Sequence, residues 1–235
     1  MPENESILPT AHYTVGPEGN CIKNMGEKGP GRARTAQNTH SGRLKRRKRT
    51  PPKYLIPGEK DALFRVIDNP RDRAIFRLAF QHGLRVSEIG MLQMKDWRRG
   101  ISLDMDRLFL HRLKGSIGGE TIIVNAAATA LRAWLRIRGT SPGPIFTSRN
   151  HRPISRRRLD ELMKHYCKLA GIPDEKAHFH SLKHTCGTLL HSEQHESIVD
   201  VQKHLGHADI RNTMIYAQLT DEANQARAER LRDWR

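Results

Sequence analysis

Four glycines set the shape this chain can take. Gly83, Gly139, Gly171 and Gly206 each follow a stretch whose apolar residues recur at helical spacing, and each stands where a helix closes through a left-handed residue. Short helices with tight connections are therefore expected at about 57–68, 71–82, 126–138, 156–170, 180 onward and 196–205. Ser155 is expected as an N-cap, and Ile75, Phe76, Leu78, Ala79 and Phe80 make the second helix a buried one. Past Gly83, Ser87 is placed to cap a further helix that turns Ile89, Met91 and Leu92 inward. One region breaks the period: 107–113 and 121–124 read as strands around Lys114-Gly-Ser-Ile-Gly-Gly119, a β-hairpin with a flexible Gly-rich tip. The fold class is mainly α with a small antiparallel hairpin sheet.

Charge narrows the partners. The 235 residues hold 41 Lys and Arg against 25 Asp and Glu, a formal net charge of +16, so a polyanion is the expected partner and nucleic acid fits best. Residues 1–53 lack apolar periodicity and read as a basic, disordered tail. Their 11 Lys and Arg less 4 Asp and Glu leave +7, concentrated around Lys45, Arg46 and Arg47, and the other 182 residues carry +9. Such an arm can lie along phosphates without reading sequence, or be no more than a solvated leader. No run of 18 apolar residues offers a membrane span, and no basic amphipathic helix with aromatic anchors offers a membrane-surface contact. Cys21, Cys167 and Cys186 are scattered with no CxxC, and no signal peptide precedes them, which points to the reducing cytoplasm.

The chemistry-bearing residues concentrate between 178 and 218. On a helix beginning near His180, Lys183 and His184 return to its side at i+3 and i+4, giving a cationic face, while Leu182, Leu189 and Leu190 can turn to the core. His207 follows the Gly206 turn, and a helix from Asp209 carries Tyr216 between Ile215 and Leu219. Short connections allow these groups to meet. Arg85 sits on the tight connection after Gly83, where a guanidinium can be held rigidly for a phosphate. Lys114 stands at the entrance to the hairpin tip, and Arg156, Arg157 and Arg158 form a basic edge at a helix start. A metal reading is poor, because neither His180-x3-His184 nor His191-x3-His195 has the His-Glu-x-x-His arrangement. Residues 196–218 can also be read as a helix-turn-helix with Arg211 and Asn212 near the start of a recognition helix, which makes a non-catalytic DNA-binding regulator the rival class.

Taken in order, Gly-Leu-Arg85-Val-Ser-Glu-Ile, the hairpin Lys114, His180-x-x-Lys183-His184, Leu-Gly-His207 and Tyr216 resemble the active-site series of the tyrosine recombinase or phage integrase family. Segments such as His-Arg-Leu-Lys-Gly and His-Thr-Cys-Gly resemble the short fimbrial phase-switch invertases, which consist of the catalytic domain alone. The resemblance implies a DNA breaking-rejoining fold over 54–220; the remaining 221–235 read as an arginine-rich amphipathic C-terminal helix, Asp221 to Trp234, placed to dock on its own domain or on a neighbouring protomer. It implies Tyr216 as a nucleophile forming a 3′-phosphotyrosine, with neither metal nor cofactor. Arg85, His207 and Lys183 would bind the phosphate, His180 would assist the nucleophile and Lys114 would protonate the leaving oxygen. The family usually has arginine where Lys183 stands, so an attenuated enzyme is expected. Double-stranded DNA, a homotetramer on paired sites and accessory DNA-bending proteins are the implied partners. A type IB topoisomerase shares the chemistry and is weakened by the small chain.

Overall fold

A computed structural model describes residues 52–113 and 116–217, together with 228, 231 and 232. The described residues all fall within one compact unit, 48–235. The tail residues Lys45, Arg46 and Arg47, the hairpin Lys114, and nearly all of the expected helix at 221–234 lie outside the described residues.

Local chemistry starts several of the helices. α1 (Pro57–Val66) opens on a proline, and the Glu59 carboxylate accepts from the Ile56 amide at 3.0 Å. α2 (Pro70–Gln81) is capped by Asn69, whose side chain accepts from the Asp72 amide. α3 (Val86–Met91) is short, and α4 (Asn125–Arg138) ends on Gly139 at φ +80°. α5 (Arg156–Leu169) has Ser155 as its cap, as the sequence predicts. α6 (His180–Ser192), α7 (Ile198–Leu205) and the four-residue α8 (Met214–Ala217) complete the helical set among the described residues. α7 closes on Gly206 in the left-handed conformation.

A three-stranded antiparallel sheet runs β1 (Trp97–Arg98), β2 (Arg107–Leu110), β3 (Gly119–Ile122), with Leu108 opposite Thr121. α2 packs against α4 and α6, with Ala74, Ile75, Phe76, Leu78 and Ala79 buried and Phe80 half-buried. Phe76 meets Tyr166 and Phe179 edge-on at 5.5 and 5.6 Å, which joins α2 to α5 and to the start of α6. A second, smaller apolar cluster gathers Cys186, Val201, Leu205 and Tyr216 beneath α6, α7 and α8.

Several expectations shift. Arg85, not Ser87, is the N-cap of α3, because the Glu88 carboxylate reaches back to the Arg85 amide and does the capping. Met91 is 39% exposed whereas Ile89 and Leu92 are buried, so the six-residue helix turns a narrower face inward than a long one would. The paired strands are shorter than 107–113 and 121–124, and β1 adds a third that the hairpin pattern did not announce. Ser197 caps α7, so that helix starts at Ile198 rather than near 196. Asp209 caps only a 3₁₀ turn, Ile210–Asn212, and Tyr216 lies on the separate short α8. Leu182 and Leu189 face the core while Leu190 is half-buried.

Candidate active site

The turn that carries Arg85 is fixed from below. Gly83 has φ +54°, and a Cβ built there would stand 2.3 Å from Leu205 Cδ2, so the ends of α2 and α7 are packed too closely for a side chain. Arg85 Nη1 then donates to Glu88 Oε1 at 2.8 Å, to Ser116 Oγ at 2.9 Å and to the Leu113 carbonyl at 3.1 Å. Burial pushes the Glu88 carboxyl up, but the hydrogen bonds from Arg85 and the charge of Arg112 outweigh it and hold the group below the usual carboxylate range. One edge of the guanidinium is therefore clamped by an anion and the hairpin flank.

On α6, the exposed His180 meets His184 ring to edge with centroids 4.5 Å apart. His184 Nδ1 lies 3.2 Å from Tyr216 Oη. Burial, with His180 and Lys183 beside it, lowers His184 to about 4, so at neutral pH it is an uncharged imidazole, whose Nδ1 accepts from the tyrosine hydroxyl in the tautomer protonated on Nε2. Tyr216 is 1% exposed and burial raises its hydroxyl pKa. Its ring rests on Gly187, where a Cβ would stand 2.6 Å from Cε2 and Cζ. On the turn after Gly206, His207 Nδ1 lies 3.0 Å from Thr213 Oγ1, and burial together with the Lys183 and Arg85 charges lowers it to about 4.

Arg85, His180, Lys183, His184, His207 and Tyr216 all line one cleft of about 790 Å³, and Arg156, Lys164 and Asn212 border it. Of the six residues in the catalytic series that the sequence singles out, five converge here, and Lys114 lies outside the described residues. Lys183 is not on an exposed cationic face. It is 2% exposed, and Nζ donates to the carbonyls of Leu205 at 2.8 Å and Gly83 at 2.9 Å. Burial and the neighbouring Arg112 and Arg85 lower it to about 7. Arg156, Arg157 and Arg158 stand at the start of α5, paired on their own helix with Asp160 and Glu161, and only Arg156 reaches the cleft. His184, which the sequence places beside His180 at i+4, stands outside the catalytic series read from the sequence, yet it is the group that meets Tyr216 Oη. Gly187 stands outside that series as well, and no local signal exists for it.

The phage integrase family model matches residues 54–223. The chain belongs to that family. The Type 1 fimbriae regulatory protein FimB of Escherichia coli K12 is 33% identical over 171 residues, covering 69% of this chain and 82% of FimB. Tyrosine recombinase XerC of Caldanaerobacter subterraneus is 30% identical over 177 residues, 72% of this chain and 48% of XerC, so the match spans about half of that longer relative. Among solved structures, XerA recombinase superposes with a TM-score of 0.66 at 26% identity, covering 80% of this chain and 68% of XerA. XerH bound to its difH substrate before cleavage shares the fold, with a TM-score of 0.64 at 21% identity, covering 80% of this chain and 56% of XerH. This phage integrase family member is a tyrosine-type site-specific recombinase. The non-catalytic regulator and the topoisomerase are not favoured, and the helical domain with its small antiparallel sheet is the family's catalytic domain.

Proposed function

We propose that this recombinase cleaves double-stranded DNA with Tyr216 as the nucleophile, through the groups that share its cleft. The observation that carries the reading is the common wall: Tyr216, His184, His180, Arg85 and His207 border one space although up to 131 positions separate them. The Tyr216 oxygen attacks the scissile phosphorus, and its proton passes to His184 Nδ1, 3.2 Å away, with the His180 ring packed edge-on against that imidazole. The bond from phosphorus to the 5′ oxygen breaks, and that oxygen takes a proton from Lys114. Arg85 and His207 donate to the non-bridging oxygens as charge builds, and loss of one such donor costs roughly 2.7–4 kcal/mol. Rejoining reverses the steps, because the phosphotyrosine conserves the bond energy.

Arg156 and Lys164 at the rim, with Arg157, Arg158 and the tail's Lys45, Arg46 and Arg47, follow the flanking phosphates. Residues 1–53 are the basic arm, 54–220 the catalytic domain and 221–235 the segment that contacts a neighbouring protomer. Exchange between two sites calls for a tetramer assembled on paired DNA in the cytoplasm, with DNA-bending proteins as helpers. The test is covalent capture from a pool of nicked suicide duplexes with a randomised core. Wild type should yield an SDS-resistant adduct and Tyr216→Phe none. Retarded DNA without an adduct from wild type would favour the helix-turn-helix regulator and overturn the recombinase mechanism.

A further inference from the structure

Arg112 is a buried cation outside the catalytic series. Its side chain is 3% exposed. Nη2 donates to the carbonyls of His82 at 2.8 Å and His204 at 3.2 Å, while Nη1 donates to the Gly83 carbonyl at 3.1 Å and Glu88 Oε2 at 3.2 Å. Lys183 does a parallel thing from α6, joining the carbonyls of Gly83 and Leu205. Four carbonyls are thus held by two side chains: those of His204 and Leu205, the last residues of α7, and those of His82 and Gly83, which directly follow α2, at helix ends that leave carbonyls without partners and present a negative dipole end. Arg85 lies two residues past Gly83 and His207 two residues past Leu205. The approach is tight: a Cβ at Gly206 would stand 3.1 Å from Arg112 Nε.

We propose that Arg112 and Lys183 are positioning residues for the recombination reaction, a pair of cations that staples the Arg85 turn to the His207 turn so that both donors address one phosphate. Arg112 acts on Arg85 by a second path as well, since Glu88 accepts from both guanidinium groups. Lys183 works as a strut rather than as the phosphate clamp expected at its position: two of its N–H bonds end on carbonyls, and a neutral amine keeps the two donors those carbonyls need. The pushed-down Lys183 therefore does not loosen the staple by losing a proton. This inference rests on the proposed mechanism, and it adds to it a group that never touches the substrate.

The test is single-turnover cleavage of the nicked duplex recovered from the randomised pool, read as adduct formed per unit time at saturating protein. A displacement of about 1 Å at a catalytic donor is worth on the order of 100-fold in rate. Arg112→Met should slow cleavage by about that factor in the wild-type background and by less than about tenfold in an Arg85→Ala background, because the effect travels largely through Arg85. Equal fold losses in the two backgrounds would overturn the proposal. If Arg112→Met does not fold, Arg112→Lys, which keeps the charge but not the fork, is carried through the same cycle and read the same way. Lys183→Arg should leave the rate unchanged or lower it, and a gain of about tenfold or more would mark Lys183 as a weakened phosphate clamp. Failure of the wild type itself to form an adduct would sink the recombinase mechanism and the staple together, whereas an active wild type with additive variants sinks the staple alone.

Discussion

Replacing Gly187 by alanine tests how the nucleophile is held. The added Cβ would stand 2.6 Å from two atoms of the Tyr216 ring and 3.0 Å from Leu205 Cδ1, against 3.4–4 Å for ordinary contact, so the ring must move by about 1 Å. Tyr216 has little room to yield, being 1% exposed among Cys186, Val201 and Leu205. Overpacking of this kind costs roughly 1–3 kcal/mol. In a folded unit of this size each kcal/mol lowers the melting temperature by roughly 2–4 °C. The same displacement carries the hydroxyl away from His184, and a 1 Å error at reacting atoms slows cleavage on the order of 100-fold. Calorimetry and single-turnover adduct formation read the two effects separately. A double variant separates cause from coincidence: Gly187→Ala should cost much less in a Tyr216→Ala background, where the ring is gone and only the 3.0 Å approach to Leu205 Cδ1 remains. Unchanged melting and unchanged cleavage in Gly187→Ala would refute the packing argument, and an equal loss of stability with Tyr216 already truncated would show that some other neighbour was responsible.

Three further outcomes follow from the same geometry. His82 at about 3 and His184 and His207 at about 4 all lie below the ordinary 6.5, so the unfolded chain binds more protons between these values; stability is greatest above about pH 6.5 and is lost as pH falls towards 4, which chemical denaturation at a series of pH values would reveal as a falling midpoint. Tyr166→Phe removes the buried bond from Tyr166 Oη to Asp72 Oδ2 at 2.9 Å and should cost roughly 1.5–3 kcal/mol in urea unfolding, with an unaltered midpoint contradicting that bond's role. Arg156→Ala should weaken DNA binding alike for all sequences and flatten the plot of log affinity against log salt by about 0.9, and a sequence-selective loss would assign Arg156 to base reading instead.

What was legible in the sequence was local. Gly139, Gly171 and Gly206 close helices because a left-handed residue announces itself without reference to the rest of the chain, and Ser155 caps α5 by the same logic. Arg85, His180, His207 and Tyr216 stand in the ordered series that the sequence singles out, and the fold brings these four to one cleft. The destinations of buried polar groups were not legible, because their partners come from far along the chain. Lys183 follows helical spacing onto the side of His180, yet its ammonium ends on a carbonyl 100 positions away. Arg112 looks like any strand-end arginine until the ends of α2 and α7 are brought to it. Ser87 was assigned as a cap from residue type alone, whereas the Glu88 carboxylate competes for the same turn and wins by reaching the Arg85 amide. Gly187 carries no sequence signal because its neighbour, the Tyr216 ring, is 29 positions on.

The central claim is that the phenol of Tyr216 becomes bonded to DNA. Peptide mass spectrometry of the nuclease-trimmed adduct addresses it directly. A nucleotide phosphate should ride on the peptide that contains Tyr216 and vanish with Tyr216→Phe. A nucleotide on any other residue, or an adduct that survives loss of the Tyr216 hydroxyl, would contradict the account.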